Sequence, residues 1–198
     1  MNSRFFKRVT LITCFFLSIG VPLPAKAEEE GISRSYPIPN RGLLELKVPP
    51  SWRDSINQPS GEIPPTLLFT PTSGTPFKFL VTVLWSMRKD VDINDPAFLK
   101  ANVEQIGRKA LHTAVEKELT VLELKGEHSV GYYFVLTDKA PKPGEFRYVA
   151  SGAIGAGKLQ LAFTFLFNEK ETEAQKTALQ MLAEARQREQ NPPPHDRP

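Results

Sequence analysis

Cysteine, histidine and long apolar runs are all scarce in this chain. Its one cysteine, Cys14, falls within the first 27 positions, and its three histidines are His112, His128 and His195. A single thiol cannot close an intramolecular disulfide, and Cys-rich zinc sites and C-x-x-C redox pairs need more than one. No apolar stretch reaches the about 20 residues of a transmembrane helix.

The longest apolar run covers residues 9–21, and its surroundings explain it. Arg4, Lys7 and Arg8 precede it as a positive n-region, and residues 24–27 (Pro-Ala-Lys-Ala) follow it as a small-residue A-x-A cleavage site. Pro22 and Pro24 end the run at once. A signal peptide over residues 1–27, cleaved after Ala27, is therefore expected, and it places the mature chain in the periplasm or outside the cell. An uncleaved anchor would carry a longer run and no A-x-A motif. Residues 11–14 (Leu-Ile-Thr-Cys) have a faint likeness to a lipoprotein box, but Thr13 fits it poorly and the run continues through Phe15, Phe16 and Leu17.

Cleavage changes what the composition means. The full chain has 25 basic and 22 acidic residues, formally +3. Losing Arg4, Lys7, Arg8 and Lys26 leaves 21 against 22, a net charge of −1. A near-neutral protein with interspersed signs lacks the footprint of a phosphate-backbone binder, so nucleic acid is not expected as a partner. The same cut removes the only thiol, which excludes thiol nucleophiles. Stability must then come from an apolar core, which about 171 residues can build as one domain.

Along the mature chain, residues 28–40 hold a Glu triplet, Gly31, Pro37 and Pro39 without periodicity and read as a flexible leader. Residues 190–198, with Pro192, Pro193 and Pro194, read as a disordered tail. One α+β domain is expected over residues 41–189. Leu44, Leu46 and Val48 alternate as a half-buried strand closed by Pro49 and Pro50, with Trp52 placed to cover a core end. Residues 55–65 read as loop and 66–70 as a short strand. Residues 77–87 read as the longest strand, with Phe77, Phe79, Val81, Val83, Trp85 and Met87 on one face; its other face is also partly apolar, so the sheet should be covered at least partly on both sides.

The period then becomes helical. Asp95 can cap, Pro96 suits the first helical position, and Leu99, Val103, Ile106 and Ala110 form a stripe ending near Ala114. Strands are expected at 119–124, 129–137, 145–154 and 158–167, the last central because Leu159, Leu161, Phe163, Phe165 and Phe167 make a strongly apolar face. A final helix has Asn168 and Glu171 in capping-box positions and Ala174, Ala178, Met181, Leu182 and Ala185 on one stripe. The expected fold is α+β, an antiparallel sheet of about six to seven strands flanked by helices.

Several motifs suggest chemistry. Residues 152–158 (Gly-Ala-Ile-Gly-Ala-Gly-Lys) match P-loop spacing, but Leu159 replaces the required Ser or Thr and a strand pattern follows where a helix is needed. Asp90, Asp92 and Asn94 begin like a calcium loop, but Asp95 stands in place of glycine and Ala101 in place of the bidentate glutamate. His112 and His128 have no metal spacing, and Ser129 beside His128 points to the opposite strand face. Glu116, Glu118, Glu123 and Glu127 could furnish a carboxylate pair only if folding set two across a cleft. Trp52, Trp85, Phe163, Phe165 and Phe167 read as core. No catalytic, cofactor-binding or metal-ligating residue is assigned.

The Pro-Pro-Ser-Trp at residues 49–52, the helix from Pro96, the Gly131-Tyr132-Tyr133 strand and the residue 148–167 hairpin leading into a C-terminal helix together resemble the PsbP family and its DcrB-like relatives. The resemblance covers about residues 43–186. It implies an α/β/α sandwich and a non-enzymatic accessory or binding role, with no catalytic residue to transfer; the missing lipidated cysteine departs from many exported relatives. The expectation is an exported binding or accessory protein of the bacterial envelope, meeting a protein partner or small ligand, without stable membrane insertion after cleavage. Alternatives are a periplasmic immunity protein or secretion-associated chaperone, and a hydrolase with an unrecognised carboxylate site. N-terminal sequencing of the exported protein should begin at Glu28; a mature chain retaining Cys14 would overturn the cleavage site.

Overall fold

A computed structural model describes residues 31–189 except 62, 89 and 171. The signal peptide expected over 1–27 and the disordered tail expected over 190–198 lie outside the described residues. In chain order the strands begin with β1 (Ile32–Ile38), β2 (Gly42–Val48), β3 (Trp52–Asn57), β4 (Thr66–Pro71) and β5 (Lys78–Trp85). Helix α1 (Pro96–Ala110) follows, extended by a 3₁₀ turn (Leu111–Thr113). Then come β6 (Leu122–Lys125), β7 (Val130–Thr137), β8 (Tyr148–Ala156), β9 (Leu159–Phe167), helix α2 (Glu173–Ala183) and β10 (Arg186–Arg188).

Seven strands form one antiparallel sheet in the order β3-β4-β5-β9-β8-β7-β6, and three form a second in the order β1-β2-β10. This is an α+β fold in which the large sheet has helix α1 on one face and α2 with the small sheet on the other. Strand β9 is the middle strand of the seven. Its alternate residues Leu159, Leu161, Phe163, Phe165 and Phe167 are all buried, which is why it takes the most enclosed position. Phe77 and Phe79 meet this row, with ring centroids 5.1 Å (Phe77 to Phe165) and 5.6 Å (Phe79 to Phe165) apart. Trp52 closes the end of the layer 4.7 Å from Phe77. From the other side Leu44, Leu46 and Val48 of β2 and Met181 and Leu182 of α2 complete the same core.

The ends of the domain depart from expectation. Residues 28–40 were expected as a flexible leader, yet Ile32 to Ile38 pair with β2 along seven positions. Tyr36 and Ile38 are buried, and the Tyr36 hydroxyl donates to Asp54 at 2.6 Å. Burial of the phenol, only partly offset by Arg34, pushes its pKa up to about 12. Pro37 is tolerated because β1 is an edge strand, with one side that has no ladder to interrupt. The loop expected over 55–65 begins later, since β3 continues to Asn57; only Trp52 of that strand is buried, so its exposed remainder carries no alternating apolar signal.

Smaller corrections have equally local causes. The strand expected over 77–87 stops at Trp85, where Ser86 accepts the Arg88 amide and turns the chain, leaving Met87 70% exposed. The nine-residue β8 and β9 are longer. Asp95 caps α1 as expected, accepting the Phe98 amide at 2.8 Å. Ile106 is 55% exposed, however, because the buried stripe runs through Leu99, Val103 and Gly107 at four-residue steps. A Cβ at Gly107 would lie 2.6 Å from Leu119 and 3.0 Å from Phe134, so glycine lets the helix approach the sheet. The cap of α2 is Thr172, which accepts the Gln175 amide at 3.1 Å; Asn168 instead accepts the Arg147 amide.

Phe79 is fully buried between Phe69, Trp52, Phe163 and Phe165. Phe79→Ala should cost about 3–5 kcal/mol in equilibrium denaturant unfolding. A loss under about 1 kcal/mol would contradict this account of the core.

Candidate functional site

The two faces of the large sheet are finished differently. The inner face is sealed by α2 and the small sheet, whereas α1 packs on β7 and β8 and leaves the outer face of β4, β5 and β9 uncovered. Under α1 the outward residues are apolar: Phe134 and Leu136 pack on Leu99 and Val103. Beyond the helix the same face alternates threonine with aliphatic residues. Leu68, Leu80, Thr82, Ala162, Thr164 and Leu166 are all half-buried, and Thr66 bonds Thr82 across the strands at 2.9 Å.

A groove of about 250 Å³ lies where α1 meets this open half. Leu84 and Ala162 of the sheet form its apolar floor, Val103 and Ile106 of α1 its wall, and Asn102 and Gln105 add neutral amides. None of its lining residues is ionisable. Two polar members already serve the fold, for Gln160 donates to the Ile93 carbonyl at 2.7 Å and Ser151 to the Phe163 carbonyl at 3.1 Å. The groove therefore offers an uncharged, largely apolar seat, which suits a neutral hydrophobic group and supplies no acid, base or nucleophile pair.

A larger concavity of about 410 Å³ sits at the other end, between the β4–β5 connection and the start of α2. Its size favours it and its chemistry does not. Trp52 and Phe77 on its floor are 6% and 5% exposed, already spent on the core. Thr172 caps α2, Glu173 pairs with Lys176, and the Ser51 carbonyl accepts from Thr72. These groups close a seam of the fold, so the groove beside α1 is the better candidate.

The residues singled out in the sequence are dispersed. His112 lies on the 3₁₀ turn, whose neighbour Ala114 bridges Asp138 beyond the end of β7, and His128 lies just before its start. The length of that strand, eight residues at about 3.3 Å each, separates them. Of the glutamates, Glu116 binds Thr137, Glu123 pairs with Lys125, and Glu127 pairs with Arg186 and His128. Glu118 is exposed. The calcium-like residues also diverge: Asp90 pairs with Arg88, Asp92 accepts the Asn94 amide, and Asn94 donates to the Gly157 and Leu159 carbonyls. Among the described residues no group of three His, Cys, Asp or Glu is placed to hold a metal. The glycine-rich 152–158 segment is the end of β8 and a tight turn at Gly157, φ 62°, leading directly into β9. Trp85 is half-buried beneath the Arg41 guanidinium.

No protein-family model matches the chain, and no curated protein matches it. Leu84, Ile106, Ser151 and Ala162, which shape the groove, carry no chemical motif; the one sequence sign was that the second face of the 77–87 strand is also partly apolar.

Glu116 shows how a candidate carboxylate becomes structural. Partial burial, the largest influence, pushes its pKa up, but bonds from the Thr137 amide and hydroxyl at 2.8 and 2.7 Å together bring it below the usual glutamate value. A lowered folded-state pKa contributes stability above the unfolded value, and that contribution is lost as pH falls through the folded value. Glu116→Gln should therefore cost up to about 1 kcal/mol at neutral pH, discounted for solvent exposure, and the gap to wild type should close below about pH 4. Denaturant unfolding at both pH values checks this, and a gap that widens in acid would contradict it.

Proposed function

We propose that this chain is an exported, non-enzymatic binding or accessory protein of the bacterial envelope, related in layout to the PsbP and DcrB-like sandwiches. The observation that carries the reading is the uncharged groove between α1 and the open half of the large sheet. Its occupant is a neutral apolar side chain projected by a protein partner, with the threonine and leucine face beyond it as the surrounding contact area. Interfaces gain most of their energy where a few large apolar groups fill well-packed pockets. The dispersal of histidines and glutamates into separate structural bonds favours binding over hydrolysis as the role of this fold.

A photo-crosslinking side chain placed at Ile106, on the exposed rim, should yield a discrete adduct in cells that export the protein. The adduct should be lost when Leu84→Lys puts a charge on the groove floor, while the same crosslinker at the exposed Ser35 of β1, on the small sheet over the opposite face, gives none. Equal adducts from both positions, or an Ile106 adduct indifferent to Leu84→Lys, would sink the reading.

A further inference from the structure

Strand β10 is held differently from every other strand described. It has three residues, of which Arg186 and Arg188 are exposed and Gln187 is half-buried, and it pairs only with Leu43, Leu44 and Glu45 of β2. No apolar side chain anchors it. Its contacts instead gather charges from three other segments. Arg186 meets Glu127 of the β6–β7 turn at 2.6 Å, and Arg188 meets Glu45 of β2 at 2.8 Å. Glu189, just past the strand, meets Lys158 of the β8–β9 turn at 2.7 Å. Gln187 ties the same places through its amide, accepting the Lys158 N–H at 2.7 Å and donating to the Arg41 carbonyl at 2.8 Å. The remaining charges facing this region among the described residues are Lys47 of β2, paired with Glu184 at the end of α2, and His128, which adjoins Glu127.

We propose that β10 is an ion-pair latch that opens in acid before the rest of the fold, uncovering the edge of β2. The physical basis is the contrast with the core. Apolar burial is indifferent to pH and little weakened by simple salt, whereas exposed ion pairs are screened by salt and lose their charge when carboxylates protonate. Local openings are expected where a segment lacks buried apolar contacts. Hydrogen bonds from Arg186 and Lys158 hold Glu127 and Glu189 below the usual glutamate value. Their contribution is complete above the unfolded-state value and fades as pH falls through the folded one, so the latch weakens on the acid side. Release leaves the main chain of Leu43 to Glu45 without its partner on that side, an edge suited to an added extended segment.

Hydrogen–deuterium exchange of the mature protein tests this at pH 7 and about pH 3, and at pH 7 with about 1 M salt, after correction for intrinsic rates. The amides of β10 should exchange roughly tenfold faster in acid and in salt, with β9 amides still protected. The combined variant Glu45→Gln, Glu127→Gln and Glu189→Gln should already be open at pH 7 and gain nothing further from acid. Unchanged β10 protection in salt, or β10 and β9 losing protection in one step, would overturn the proposal, as would a triple variant that stays latched or still responds to acid.

Discussion

The structure depends on the inward row of β9. Five large apolar side chains at alternate positions, from Leu159 to Phe167, cannot be satisfied by neighbours in their own sheet and require a layer laid across them. Two helices are too few to cover seven strands on both faces. The chain resolves this by folding residues near both ends into a second sheet, β1-β2-β10, which joins α2 over the inner face. Only α1 is then left for the outer face, and it packs chiefly on β7 and β8. The asymmetry of the molecule follows from the strength of that one row.

The uncovered half of the outer face is adapted to water without losing its strand character. Thr66, Thr82 and Thr164 are β-branched, so they favour extended backbone on a half-exposed face, and the Thr66 and Thr82 hydroxyls satisfy each other across the strands. Leucines between them keep the face half-apolar. At the boundary with α1 this mixed surface meets the fully apolar zone around Phe134, and the groove lies on that boundary. A helix one turn wider in its contact would have filled it, but the buried stripe passes through Gly107 and turns Ile106 outward.

Much of this was legible from local pattern. The continuous apolar face of β9 marks the central strand, and Asp95 before Pro96 marks the start of α1, because both signals are strong and self-contained. The edge strands were not. In β1 only Tyr36 and Ile38 are buried, and in β3 only Trp52, so alternation never accumulates. The α2 cap was misplaced for a different reason: Asn168 is a good capping residue, but it is engaged by the Arg147 amide at the start of β8, and Thr172 caps the helix instead. The groove was the least legible feature. Its residues come from β5, α1, β7, β8 and β9, and none is unusual for its own element.

The two flanks of β2 show how position in the chain and kind of bonding need not match. On one side β1 pairs over seven residues and buries Tyr36 and Ile38, so its removal would expose the aromatic core directly. On the other β10 pairs over three and buries no apolar side chain, its neighbours being carboxylates, a lysine and an amide. The first flank belongs to the apolar core and the second is attached to it. Since hydrophobic burial and surface charge respond to different solvent variables, one strand in the middle carries two edges of unequal character, and only the charged one can be loosened without disturbing the row on β9.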